Sequence, residues 1–101
     1  MLIQQGDVLI QTIDAFPTGA QHKPGPIVLA EGEVTGHSHS ITEEEGVSLY
    51  TLDEILYLCA DHEVVVRHQE HAPVTVPPGA YRIGRVREWD YTQREARAVR
   101  D

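Results

Sequence analysis

The sequence predicts a single all-β domain over residues 1–101, a small barrel or sandwich, with one short C-terminal helix over 92–100. Three observations carry this. Short apolar runs rich in β-branched side chains recur along the chain. Turn-forming residues separate them every few positions. Only the last stretch has a helical pattern, and 101 residues suit one ordinary domain.

Asp7 to Ile13 reads Asp-Val-Leu-Ile-Gln-Thr-Ile and predicts the first strand. Pro17, Gly19, Pro24, Gly25 and Pro26 follow closely, and that density of breakers predicts a loop over 17–26. Ile27 to Ala30 predicts a short apolar strand, Glu31-Gly32-Glu33 its turn, and Thr35 to Ile41 the next strand. Glu43-Glu44-Glu45-Gly46 reads as a solvated acidic turn.

Val47 to Leu52 and Ile55 to Ala60 flank Asp53-Glu54 and predict a hairpin. Asp61-His62 leads into residues 63–67, which predict the third strand of a meander, with His62 exposed in the turn. The run Val64-Val65-Val66 opposes a helix there, because β-branched side chains lose χ1 freedom against the preceding turn. Val74 to Val76 predicts a short strand ended by Pro77-Pro78-Gly79. Ala80 to Trp89 resumes extended structure, with a bulge expected at Gly84.

In the tail, Thr92 is placed to cap a helix, with Glu95 three residues on as a capping box requires. Such a helix is too short to stand alone and must pack on the body or on a neighbour. Arg94, Arg97 and Arg100 line one stripe of it. That stripe predicts docking on an acidic surface, of which Glu43-Glu44-Glu45 is the densest, within one subunit or across a homo-oligomer interface.

The net charge of -8 argues against nucleic acid and anionic membranes as partners, since both require excess Lys and Arg. The charge is uneven: of the basic residues only Lys23 precedes Arg67. A single cysteine, Cys59, allows no intramolecular disulfide, and its apolar surroundings predict a buried, quiet thiol. No apolar stretch approaches the ~20 residues that span a bilayer. No signal peptide is evident, and the expected compartment is the cytoplasm.

His37 and His39 stand one residue apart in Gly36-His37-Ser38-His39-Ser40-Ile41. On a strand they project to one side, with Cα atoms about 6.5–7 Å apart, so both rings can reach one metal ion. His68 and His71 form a second pair at chelating spacing, and the fold is expected to bring the pairs together. Neutral imidazoles suit a divalent transition metal such as Zn, Ni, Fe or Cu. Three ligands and an open position would be a catalytic arrangement, four closed ligands a structural one. Glu43 and Glu70 are candidates for a further ligand, for a partner to an imidazole N–H, or for a general base in a catalytic site.

The sequence His37-Ser38-His39-Ser40-Ile41-Thr42-Glu43, with Gly32 upstream and Pro77-Pro78-Gly79-Ala80-Tyr81 later, resembles the cupin superfamily. That resemblance implies a small β-barrel holding a metal through the H-x-H-x-x-x-E spacing. The match departs at Arg82, which stands where the second motif would place its histidine, and at Gly46, which follows the glutamate too closely. A cupin-like site here would need His68 or His71 in place of the missing ligand. The whole chain also resembles small bacterial and phage proteins in which no activity is established.

Two functional readings follow. One is a metal-dependent enzyme of cupin type acting on a small polar molecule, with His37, His39 and His71 as ligands and His68 as a fourth ligand or proton-transfer group. Arg82 or Arg85 would hold an anionic substrate. The other is a non-catalytic accessory or self-assembling β module whose histidines bind a structural metal or none.

Overall fold

A computed structural model describes residues 1–32 and 36–86 of the chain. All elements of the described residues are strands: β1 (Leu2–Gln5), β2 (Val8–Thr12), β3 (Gln21–Lys23), β4 (Ile27–Glu31), β5 (Ser38–Ile41), β6 (Val47–Leu52), β7 (Ile55–Ala60), β8 (Val64–Arg67), β9 (Val74–Val76) and β10 (Gly79–Arg85). They form two antiparallel sheets, six strands in the order β1-β2-β10-β7-β6-β3 and four in the order β4-β5-β8-β9. The all-β expectation holds. Among the described residues the ladders make two open sheets and do not close into a barrel.

Alternation within the strands builds the core. Val8 and Ile10 of β2, Leu49 of β6, Leu58 of β7 and Tyr81 and Ile83 of β10 turn inward from the six-stranded sheet. Ile27, Leu29, Ile41, Val64, Val66 and Val76 face them from the other. Burying each aliphatic side chain contributes roughly 1.5–3 kcal/mol, so this shared layer is what holds the two sheets together. The Tyr81 hydroxyl, carried inward with its ring, donates to Pro77 O at 2.6 Å.

The expected hairpin forms: β6 pairs β7 from Val47↔Ala60 to Leu52↔Ile55. Asp53 and Glu54 both take positive φ, 53° and 68°, the tight turn whose twist matches the flanking strands.

The structure corrects four expectations. The meander breaks after β7. The free edge of β7 pairs with β10, where Tyr81 meets Leu58 and Ile83 meets Leu56, and β8 crosses to the other sheet. The loop over 17–26 contains the edge strand β3, paired to β6 from Gln21↔Thr51 to Lys23↔Leu49. Gly84 sits in unbroken register opposite Leu9, and the bulge lies in β4, between Val28 and Ala30. Cys59 is half-buried rather than buried. Residues 2–5, left unassigned by the sequence reading, form β1.

The predicted helix over 92–100, with its arginine stripe, lies outside the described residues, as do position 35 and positions 87–89 of the expected strands. The strand expected over 35–41 begins only at Ser38, which leaves His37 ahead of it, and the one expected over 80–89 ends at Arg85. Among the described residues no helix is long and apolar enough to cross a membrane.

Candidate functional site

The bulge in β4 sets the register that matters. Beyond it, Ala30 pairs with His39 and Glu31 with Ser38. Along β5, His39 and Ile41 turn inward while Ser38 and Ser40 turn away, the period-2 alternation of a strand. His39 is 3% exposed, one of two buried polar residues in the described chain, the other being Gln5. His37 stands just ahead of β5, where its carbonyl accepts from Gly32 N at 2.8 Å.

His68 and His71 lie on the connection from β8 to β9. Two glutamines fix that connection. Gln69 Oε1 accepts from Ser38 N at 2.9 Å, tying it to the start of β5. Gln5 Nε2 donates to Val66 O and to Ala72 O, both at 2.9 Å, tying it to β1. The Gln5 amide oxygen lies 2.8 Å from His39 Nδ1.

The two histidine pairs meet. The His68 ring contacts the rings of His39, His71 and His37 at centroid distances of 4.3, 4.6 and 5.5 Å. The His39 and His71 rings are 6.1 Å apart and nearly parallel. Together with Gly6, Asp7, Gly32, Glu70 and Arg85 they line a cavity of about 410 Å³ at one end of the sandwich. His68 Nδ1 accepts from Glu70 N at 3.0 Å. His39 Nε2 lies 3.9 Å from Asp7 Oδ1, and His37 Nδ1 lies 3.8 Å from Glu70 Oε2.

Burial dominates the electrostatics of His39. Desolvation first, then the neighbouring His68, pushes its pKa down from 6.5 to about 4, against an opposing pull from Asp7. The ring is therefore neutral at pH 7 and has a lone pair to offer. Arg85 supplies the cation of the cavity: its Nη1 lies 3.3 Å from Asp7 Oδ2, and its Nη2 donates to Glu31 O at 3.1 Å.

Two other predicted residues are not brought to this cavity. Glu43 lines a separate depression with Glu44, Glu45, Gly46, Asp61 and His62. It follows β5 on an exposed connection. Arg82 alternates with Tyr81 and Ile83, which are core residues, so it falls on the outer face of the six-stranded sheet. Arg85 shares the inward parity of Tyr81 and Ile83 and reaches the cavity.

Sequence reasoning missed Gln5, Asp7 and Gln69. Gln5 shares the inward parity of Ile3 on β1, so only recognition of that strand would have flagged a polar residue at an inward position. Among the described residues no three His, Cys, Asp or Glu side chains already converge on one point as metal ligands.

No curated protein and no solved structure matches the chain. A family model described as Domain of unknown function (DUF8820) matches residues 4–86, and the chain belongs to that family.

Proposed function

We propose that the cavity binds a divalent transition metal ion through imidazole nitrogens drawn from His37, His39, His68 and His71. The observation that carries this reading is the contact of the His68 ring with the other three. An imidazole nitrogen sits about 2.1 Å from a bound ion, which puts the ring centroid about 3.2 Å away and two ligand rings about 4.5–5.3 Å apart. The contacts at 4.6 and 5.5 Å are close to that spacing. Nitrogen donors with carboxylates nearby suit Zn, Ni, Fe or Cu in the same way. Convergence of the donors requires rotation of side chains, which the exposed His71 and the half-exposed His37 and His68 have room to make.

On this reading the protein is a small metal-binding β domain, with a cupin-type metalloenzyme acting on a small polar molecule as its catalytic form. Glu70 serves the site from the rim, and Arg85 holds an anionic group of the ligand. Assembly into a homo-oligomer and a cytoplasmic setting belong to the same proposal.

The second reading is a non-catalytic module with a structural metal or none. The failure of three donors to converge among the described residues favours it. Elemental analysis of protein purified without a histidine tag separates the metal reading from a metal-free module. The metal reading expects a transition metal near one equivalent per chain, lost in His39→Ala. Metal-free protein that gains no thermal stability from added Zn or Ni would contradict it.

A further inference from the structure

Gln5 has one side-chain amide and three partners. Val66 O and Ala72 O accept hydrogen bonds only, so both lie on the NH₂ side and Oε1 is the atom left to face His39. An oxygen with no proton meets Nδ1 at 2.8 Å, so Nδ1 must carry the hydrogen. A neutral imidazole protonated at Nδ1 has its lone pair at Nε2. That Nε2 faces Asp7 Oδ1 at 3.9 Å. The other oxygen of Asp7 is engaged by Arg85 Nη1, at 3.3 Å. Two acceptors therefore confront each other across the cavity wall with no proton between them.

We propose that His39 Nε2 and Asp7 Oδ1 are a preset pair of cation ligands, and that Gln5 is the positioning residue that makes His39 a donor of electrons there. Two ligand atoms each about 2.1 Å from one ion can be at most about 4.2 Å apart, and 3.9 Å falls within that limit. The same Gln5 amide holds the segment that carries His68 and His71, so one buried side chain sets both sides of the site. Asp7 joins the ligand set although nothing in its sequence setting, the turn between β1 and β2, marks it. The assignment rests on the metal reading given above.

The experiment has two arms. In metal-free protein at neutral pH, ¹⁵N-edited NMR of the ring nitrogens reads the tautomer of each histidine. Expected is a proton on Nδ1 of His39 and, as an internal contrast, on Nε2 of His68, whose Nδ1 accepts from Glu70 N. A proton on Nε2 of His39 in the wild type overturns the proposal whatever the variants do. Gln5→Leu is expected to abolish the Nδ1–H signature and Gln5→Glu, which still offers an oxygen, to restore it. A folded Gln5→Leu protein that keeps the signature overturns the role of Gln5. Should Gln5→Leu not fold, the wild-type tautomers of His39 and His68 decide.

The second arm titrates Zn²⁺. Asp7→Asn, at a half-exposed turn position, is expected to fold and to weaken binding about 10-fold or more, with Gln5→Leu in the range of about 10–100-fold that loss of a ligand's supporting partner brings. Wild-type binding matched by Asp7→Asn overturns the assignment of Asp7 and leaves the metal reading standing. Absence of binding in the wild type refutes the metal reading and with it this pair, while the tautomer result still reports on Gln5.

Discussion

Gln5 Oε1 and His39 Nδ1 lie 2.8 Å apart across a sequence separation of 34 residues, and both side chains are buried. The contact joins the first strand to the strand that carries the first histidine pair. Gln5 also bonds to two carbonyls on either side of the second pair. Fully satisfied buried amides of this kind are costly to break, since each abandoned polar group loses about 1–3 kcal/mol.

A pH dependence follows from His39. Its pKa falls from 6.5 to about 4 on folding, chiefly through burial. Between those values the unfolded chain binds the extra proton, so stability rises with pH across that window. The contribution is fully present above about 6.5, is lost progressively toward 4, and is constant below that. Its size is at most about 3 kcal/mol. Urea unfolding of metal-free protein at pH 7 and pH 4.5 should show a larger loss in the wild type than in His39→Met. Equal losses in the two proteins would contradict the assignment.

Gly6 is a second test of how the site is packed. It has φ +59°, and a Cβ built on it would lie 2.6 Å from His71 Nε2. Gly6→Ala is therefore expected to cost about 1–2 kcal/mol in backbone strain and to push the His71 ring aside. Gly25 has φ +107° with nothing within 4 Å of its built Cβ, so Gly25→Ala isolates strain without contact. The ring resonances of His71 should move in Gly6→Ala and stay in place in Gly25→Ala. Unmoved His71 resonances in a folded Gly6→Ala protein would show that the ring does not rest on this glycine.

Much of the fold was legible because its signals are local. The β6–β7 hairpin announces itself by two apolar runs around Asp53-Glu54. The path of β8 does not, because a strand is steered to one sheet or the other by pairing far along the chain. Only β10 shows that the edge of β7 is taken. The site divides in the same way. His37 and His39 mark themselves by spacing. Asp7 and Gln69 are polar residues in turns, and their roles arise from what lies opposite them. Arg82 and Arg85 look alike in sequence, yet odd and even positions on one strand send them to opposite faces.

Cys59 gives a third prediction. Its neighbours across the ladders are Ser48 and Ala80, and burial pushes its thiol pKa up. A raised pKa means little thiolate at neutral pH, so labelling of the folded protein by a thiol reagent should be much slower than labelling in urea. Equal rates would show that the half-buried position gives the thiol no protection.

The central claim is that the four histidines form a metal site, and Co²⁺ titration of tag-free, metal-free protein tests it most directly. Visible absorption of Co²⁺ reports on ligand type and geometry. The account predicts a saturable spectrum at one equivalent per chain, displaced by Zn²⁺ and absent in His39→Ala. No saturable binding in the wild type, or the same spectrum in folded His39→Ala, would contradict it.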